Sequence, residues 1–159
     1  MTINSKKKIV DLIDIQKIVE MIPHRYPMLM IDKVIDIVLG QSAIGIKNVT
    51  SNENFFTGHF PSRMVMPGVL MIEGMAQTCA VTVIETLGKK AEGSLVYFMS
   101  VDGAKFRKPV IPGDQLKYHV KKIRNRSNVW KFECMSYVEE ELVAEATISA
   151  MIMDEKINE

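Results

Sequence analysis

Residues 67–88 read PGVLMIEGMAQTCAVTVIETLG, and the rest of the chain has to fold around them. Pro67 suits the first turn of a helix, where a backbone N–H has no intrahelical partner to lose. Gly88 supplies the stop, and Lys89 and Lys90 after it suit the negative end of the helix dipole. The expected element is a helix of about 20 residues, some 30 Å long. That length would also cross a bilayer. Yet Glu73, Gln77, Thr78, Thr82, Glu85 and Thr86 interrupt the run, and acids at that depth are costly in lipid. The expectation is therefore no membrane span, but a helix buried inside the protein or between subunits. A helix apolar on nearly every side cannot be covered by one flat sheet face. It needs a wrapping sheet, a partner subunit, or both.

The segments on either side supply such a sheet. Asp14 is placed to cap a short helix on which Ile15, Ile18, Val19 and Ile22 share a face, ended by Pro23 and Pro27. MLMIDKVIDIVL at 28–39 reads as a strand, and AIGIKNVT after the Gly40 turn reads as its hairpin partner. From residue 94 onward the period is two. Leu116, Tyr118 and Val120 alternate with Lys117, His119 and Lys121, and Leu142, Ala144, Ala146, Ile148, Ala150 and Ile152 fall on one face. Short turns at Pro112-Gly113-Asp114, Ser127-Asn128 and Glu139–Glu141 imply antiparallel neighbours. The fold class expected is α+β, with a mainly antiparallel sheet of five or six strands beside one long helix. No linker, repeat or low-complexity segment divides the chain, so residues 1–159 read as a single domain whose first 13 residues form a flexible or weakly ordered segment.

Composition narrows the function classes. With 159 residues, 20 Lys+Arg and 19 Asp+Glu, net charge points to no partner, and nucleic-acid binding would require a stronger basic excess with interleaved aromatics. Lys6, Lys7 and Lys8 resemble the start of a signal peptide, but Asp11, Asp14, Lys17 and Glu20 break up the apolar core that such a peptide requires. Cys79 and Cys134 are isolated in sequence and suggest a reducing, cytoplasmic setting. His24, His59 and His119 are scattered, without metal-ligand spacing, so no metal is expected. Neither a phosphate-binding glycine loop nor a serine-nucleophile elbow occurs, and no cofactor is expected.

What remains is GHFPSRMVMPGVLMIEGMAQ at 58–77. His59 reads either as a turn histidine satisfied by backbone groups or as a base. Glu73 shares its helical stripe with Val69, Leu70, Ala76 and Ala80, and an acid desolvated there tends to keep its proton, as a general acid must. Gln77, one turn on, either orients Glu73 or is one more polar helix residue. Gly68 either permits tight packing or exposes an N–H at the positive helix end, where an oxyanion would be stabilised. A base, an acid and an amide donor together suit removal of a proton beside a carbonyl with loss of a hydroxyl from the next carbon.

IPHRYPMLMIDKV at 22–34, GHFP at 58–61, MPGVLMIEGMAQ at 66–77 and KFRKPVIPGDQL at 105–116 resemble the β-hydroxyacyl-acyl carrier protein dehydratases of the FabZ type, in the right order over nearly the whole chain. The resemblance implies a hot-dog fold, in which an antiparallel sheet wraps a central helix. It implies dehydration of (3R)-hydroxyacyl-acyl carrier protein to the trans-2-enoyl thioester in type II fatty acid biosynthesis. It also implies a homodimer with shared active sites, assembled as a trimer of dimers. By position, His59 would take the C2 proton, Glu73 would assist loss of the C3 hydroxyl, and the Gly68 N–H would hold the thioester carbonyl. Phe60, Met64, Met66, Tyr97 and Phe98 would line the acyl tunnel, or else pack in the core. Carrier-protein docking would draw on Lys105, Arg107, Lys108, Arg63, Lys121, Lys122, Arg124 and Arg126. Ser62-Arg63-Met64 and Gly74 depart from the family's usual residues, and Glu73 in place of aspartate separates the chain from the FabA-type isomerases. A hot-dog acyl thioesterase and a non-enzymatic acyl-binding module are the alternative readings.

Overall fold

The computed structural model describes residues 7–156. In chain order it contains β1 (Ile9–Ile13), α1 (Ile15–Met21), β2 (Lys33–Val38), β3 (Ser42–Asn48), α2 (Gly68–Leu87), β4 (Ser94–Phe106), β5 (Gln115–Arg126), β6 (Val129–Val138) and β7 (Glu141–Lys156), with 3-10 turns at Asn54–Thr57 and Lys89–Ala91. All seven strands join one antiparallel sheet in the order β1-β2-β3-β5-β6-β7-β4. The sheet has more strands than the five or six expected. Residues 9–13, expected to be weakly ordered, pair with β2 from Ile9 opposite Val38 to Ile13 opposite Val34. Their pattern was missed because an edge strand buries little: only Ile13 is buried, while Ile9 and Leu12 face outward. Residues 1–6 of the expected N-terminal segment, and with them Lys6, lie outside the described residues.

The helix reading of 67–88 holds closely. Pro67 is the N-cap, α2 runs from Gly68 to Leu87, and Gly88 ends it at φ 91°, a left-handed value that a side chain resists. The sheet bends around it, with α2 packing on β3, β5, β6 and β7. Period-two burial aims Tyr118 and Val120 of β5, Phe132 and Cys134 of β6, and Ala144, Ala146 and Ile148 of β7 into the core. Two glycines let helix and sheet close. A Cβ on Gly45 would sit 2.1 Å from Thr78 Oγ1, and one on Gly74 2.2 Å from Cζ of the fully buried Tyr118. Gly74, a departure from the family's usual residue, thus makes room for an aromatic ring.

Of the polar residues that argued against a bilayer, Gln77, Thr78 and Thr82 are buried, and Glu73, Glu85 and Thr86 are partly exposed. Thr78, Thr82 and Thr86 donate their hydroxyls to the carbonyls of Gly74, Thr78 and Thr82, one turn back, at 2.7–2.8 Å. From Met71 to Ile84 every residue of α2 is buried except Glu73. Among the described residues α2 is the single helix long and apolar enough to span a membrane, and it is the core of this fold. Cys79 and Cys134, distant in sequence, meet there as free thiols 3.6 Å apart, and burial pushes the Cys79 thiol well up.

Candidate active site

Glu73 leaves the buried pattern because the first half of α2 turns one stripe away from the sheet. Glu73, Ala76, Gln77 and Ala80 form one wall of a cleft of about 210 Å³, closed by His24 and by Val96, Tyr97 and Phe98 of β4. The carboxyl is held by its neighbour one helical turn on. Gln77 Nε2 donates to Glu73 Oε1 at 2.9 Å and to the Met28 carbonyl at 2.7 Å, while Gln77 Oε1 accepts from the Met30 N–H at 2.7 Å. Gln77 itself is buried, so it serves as a rigid bracket between α2 and the loop before β2.

His59 stands in a different cleft, of about 370 Å³, lined also by Val65, Met66, Gly68, Val69, Met71, Phe106 and Arg107. Its position comes from backbone contacts in the segment before α2. The His59 N–H donates to the Phe55 carbonyl, Val65 N–H returns a bond to the His59 carbonyl, and Phe60 and Arg63 bond each other across the turn. The peptide between His59 and Phe60 is cis, and the two rings stack with centroids 4.1 Å apart. His59 Nδ1 lies 2.7 Å from the Val65 carbonyl. A carbonyl only accepts, so Nδ1 carries the proton and donates it, leaving Nε2 as the basic nitrogen.

Gly68 joins the His59 cleft at the N-terminus of α2, where no side chain caps the first N–H groups. A Cβ there would come 2.7 Å from the Phe106 ring, so the glycine also permits tight packing. The packing reading of Gly68 thus has a contact behind it, and its uncapped N–H lies in the same cleft as His59. The candidate tunnel residues divide. Tyr97 and Phe98 line the Glu73 cleft and are about half exposed, whereas Met66 lines the His59 cleft from a buried position. Phe60 and Met64 are exposed and line neither cleft, because the turn at 60–63 carries them outward. Arg107 and Lys108 are engaged by Glu145 and Glu141, and Arg107 holds the Glu145 carboxyl below its usual range.

His24 is the site residue that sequence reasoning missed, having considered it only as a metal ligand. Its Nε2 approaches Glu73 Oε1 to 3.4 Å. Burial lowers its pKa, Arg25 adds to that effect and Glu73 opposes it, so the ring is neutral near pH 7. The available signal was its place in IPHRYP, within one of the motif blocks.

A sheet wrapped around one apolar helix, with a carboxyl on that helix and an imidazole on the approach to it, defines the class: an α+β hot-dog protein. Solved structures agree on the fold. One is the dehydratase heterocomplex ApeI:P from Xenorhabdus doucetiae, with TM-score 0.68 at 15% identity over 89% of this chain and 91% of that one. Another is a hot-dog-like protein from Thermanaerovibrio acidaminovorans, with TM-score 0.58 at 15% identity over 72% and 82%. Within that class, residues 22–147 match the FabA-like domain, and the chain belongs to that family. It is 67% identical over 144 residues to the 3-hydroxyacyl-acyl-carrier-protein dehydratase FabZ of Rhodospirillum rubrum, spanning 91% of this chain and 90% of the relative. To the protein of the same name from Sinorhizobium medicae it is 51% identical over 153 residues, spanning 96% and 98%.

Proposed function

We propose that the protein is a cytoplasmic dehydratase of fatty acid biosynthesis, converting 3-hydroxyacyl thioesters of acyl carrier protein to 2-enoyl thioesters. The observation that carries the chemistry is the pair of fixed proton-handling groups: an imidazole whose Nδ1 is tied to a carbonyl, and a carboxyl tied through one oxygen. His59 Nε2 takes the C2 proton, and negative charge gathers on the thioester oxygen facing the Gly68 N–H. The C2–C3 double bond forms as the C3–O bond breaks, and the hydroxyl departs as water with the Glu73 proton. High identity to the FabZ relatives favours dehydration, and the thioesterase alternative gains no support.

The two groups line separate clefts of one chain, so a complete site is proposed to need a second copy. The candidate contact is the free edge of β4, which carries Tyr97, Phe98, Met99, Val101 and Phe106 at 40–55% exposure. A long apolar edge of this kind invites pairing. Antiparallel pairing of β4 with its copy, on a two-fold at Val101, would set Tyr97 across from the partner's equivalent of Lys105 and Phe98 across from that of Ala104. The Glu73 cleft of one chain would then adjoin the His59 cleft of the other. Assembly into a trimer of dimers remains part of this proposal.

Subunit exchange tests it. His59→Ala and Glu73→Gln homo-oligomers should each lose about 10² to 10⁴-fold in enoyl formation, and mixing them should restore activity in the heterodimers. Verified heterodimers with no recovery would exclude a shared site.

A further inference from the structure

The dehydration chemistry leaves unused the half-buried imidazole of His24. His24 follows α1 in a loop that Arg25 fixes by donating to the carbonyls of Val19, Ile22 and His24. The Nε2 of His24 and the Nε2 of Gln77 both converge on Glu73 Oε1, at 3.4 Å and 2.9 Å. Among the described residues no hydrogen bond or ion pair reaches Oε2. His24 Nδ1 is buried without a hydrogen-bond partner.

We propose that His24 is a positioning residue for dehydration: its Nε2, 3.4 Å from Oε1 of Glu73, adds its N–H dipole to the Gln77 hydrogen bond on that oxygen and so confines the transferable proton to Oε2, which accepts no hydrogen bond from the described residues. The proposal rests on Glu73 being the acid. A proton on Oε1 would point at two N–H donors, so the carboxylic acid places it on Oε2. When that proton leaves with the C3 hydroxyl as water, the same two donors meet the new negative charge. The tautomer follows from the buried Nδ1: a buried N–H without an acceptor is rarer than an unfilled acceptor, so Nε2 carries the proton. Burial of the ring, which disfavours the imidazolium, keeps His24 a donor of one proton only. The titratable or charged groups facing it are Glu73 from α2, Arg25 from its own loop and Tyr97 of β4 across the cleft.

The experiment measures kcat, KM and the pH profile of kcat on a hydroxyacyl-carrier-protein substrate for the full chain and four variants. His24→Leu should lower kcat about 10-fold with KM changed less than about 2-fold. The alkaline limb should move to higher pH, because the carboxylate has lost a donor. His24→Gln, whose Nε2 reaches the place of the imidazole Nε2, should recover most of the rate and return the limb. His24→Asn, with a donor too short to reach, replaces the leucine variant if a thermal melt shows that variant unfolded. Wild-type kcat with an unmoved limb in His24→Leu overturns the proposal. Equal loss in the Leu and Gln variants with no movement of the limb also overturns it, as the pattern of a packing role. Glu73→Gln separates the two claims: if it keeps the wild-type rate, the assignment of the acid fails and His24 falls with it; if it is inactive, failure at His24 is its own.

Discussion

The two clefts are built in opposite ways. Glu73 is positioned by side chains, since Gln77 bridges it to Met28 and Met30 and His24 approaches from the loop after α1. His59 is positioned by backbone, through the Val65 and Phe55 carbonyls. A carboxyl on a helix has no main-chain donor within reach, because helical N–H groups are already spent on the ladder. An imidazole in an irregular turn has free carbonyls beside it. One cleft thus depends on particular residue identities, and the other on the path of the chain.

The largest expected effect that would break this contrast is at Gln77. Gln77→Leu leaves the buried Met30 N–H and the Met28 carbonyl without partners, at about 1–3 kcal/mol for each orphaned group. Denaturant unfolding should show that loss, and kcat should fall as Glu73 loses a donor; an unchanged midpoint would mean that the bracket is not what joins α2 to the loop. Next comes Gly74→Ala, which puts a methyl 2.2 Å from Tyr118 Cζ beneath the Glu73 stripe. Overpacking there should cost about 1–3 kcal/mol and lower Tm, whereas a Tm equal to wild type would show that the ring can give way. The smallest effect is expected on the backbone-built side. Val65→Ala trims a half-buried side chain but keeps the carbonyl that accepts the hydrogen bond from His59 Nδ1, so stability should change by less than about 1 kcal/mol and kcat by less than about 3-fold. A much larger fall in kcat would place side-chain packing, not main-chain geometry, behind His59.

The local rules read well wherever one element decided its own form. The Asp14 cap is real, its side chain accepting from the Lys17 N–H at 3.0 Å, and β3 pairs with β2 as a hairpin partner. The strand expected over 28–39 shortens to Lys33–Val38, because Met30 N–H and the Met28 carbonyl are taken by Gln77 instead of a neighbouring strand. The helical face of α1 also turns. Ile18, Met21 and Ile22 are buried while Ile15 is exposed, since the packing surface is set by α2 and the sheet and not by α1 alone. Gln77, open between two readings, orients Glu73; the place of His24 in IPHRYP marked the residue, but nothing in the spacing of residues 24 and 73 showed that they meet.

The sequence by itself determined the long helix at 68–87, its ends at Pro67 and Gly88, the alternation of the strands and the residue types able to move a proton. These follow from local sterics and from a period of apolar residues that any reader of the chain can count. Only the tertiary structure decided that α2 is sheathed by β3, β5, β6 and β7, that β1 extends the sheet at one edge and β4 leaves the other free. It alone placed His24 beside Glu73 and put His59 in another cleft. The physical reason is that strand order and side-chain convergence depend on contacts between distant residues. Local preference cannot rank those contacts until the apolar faces are packed together.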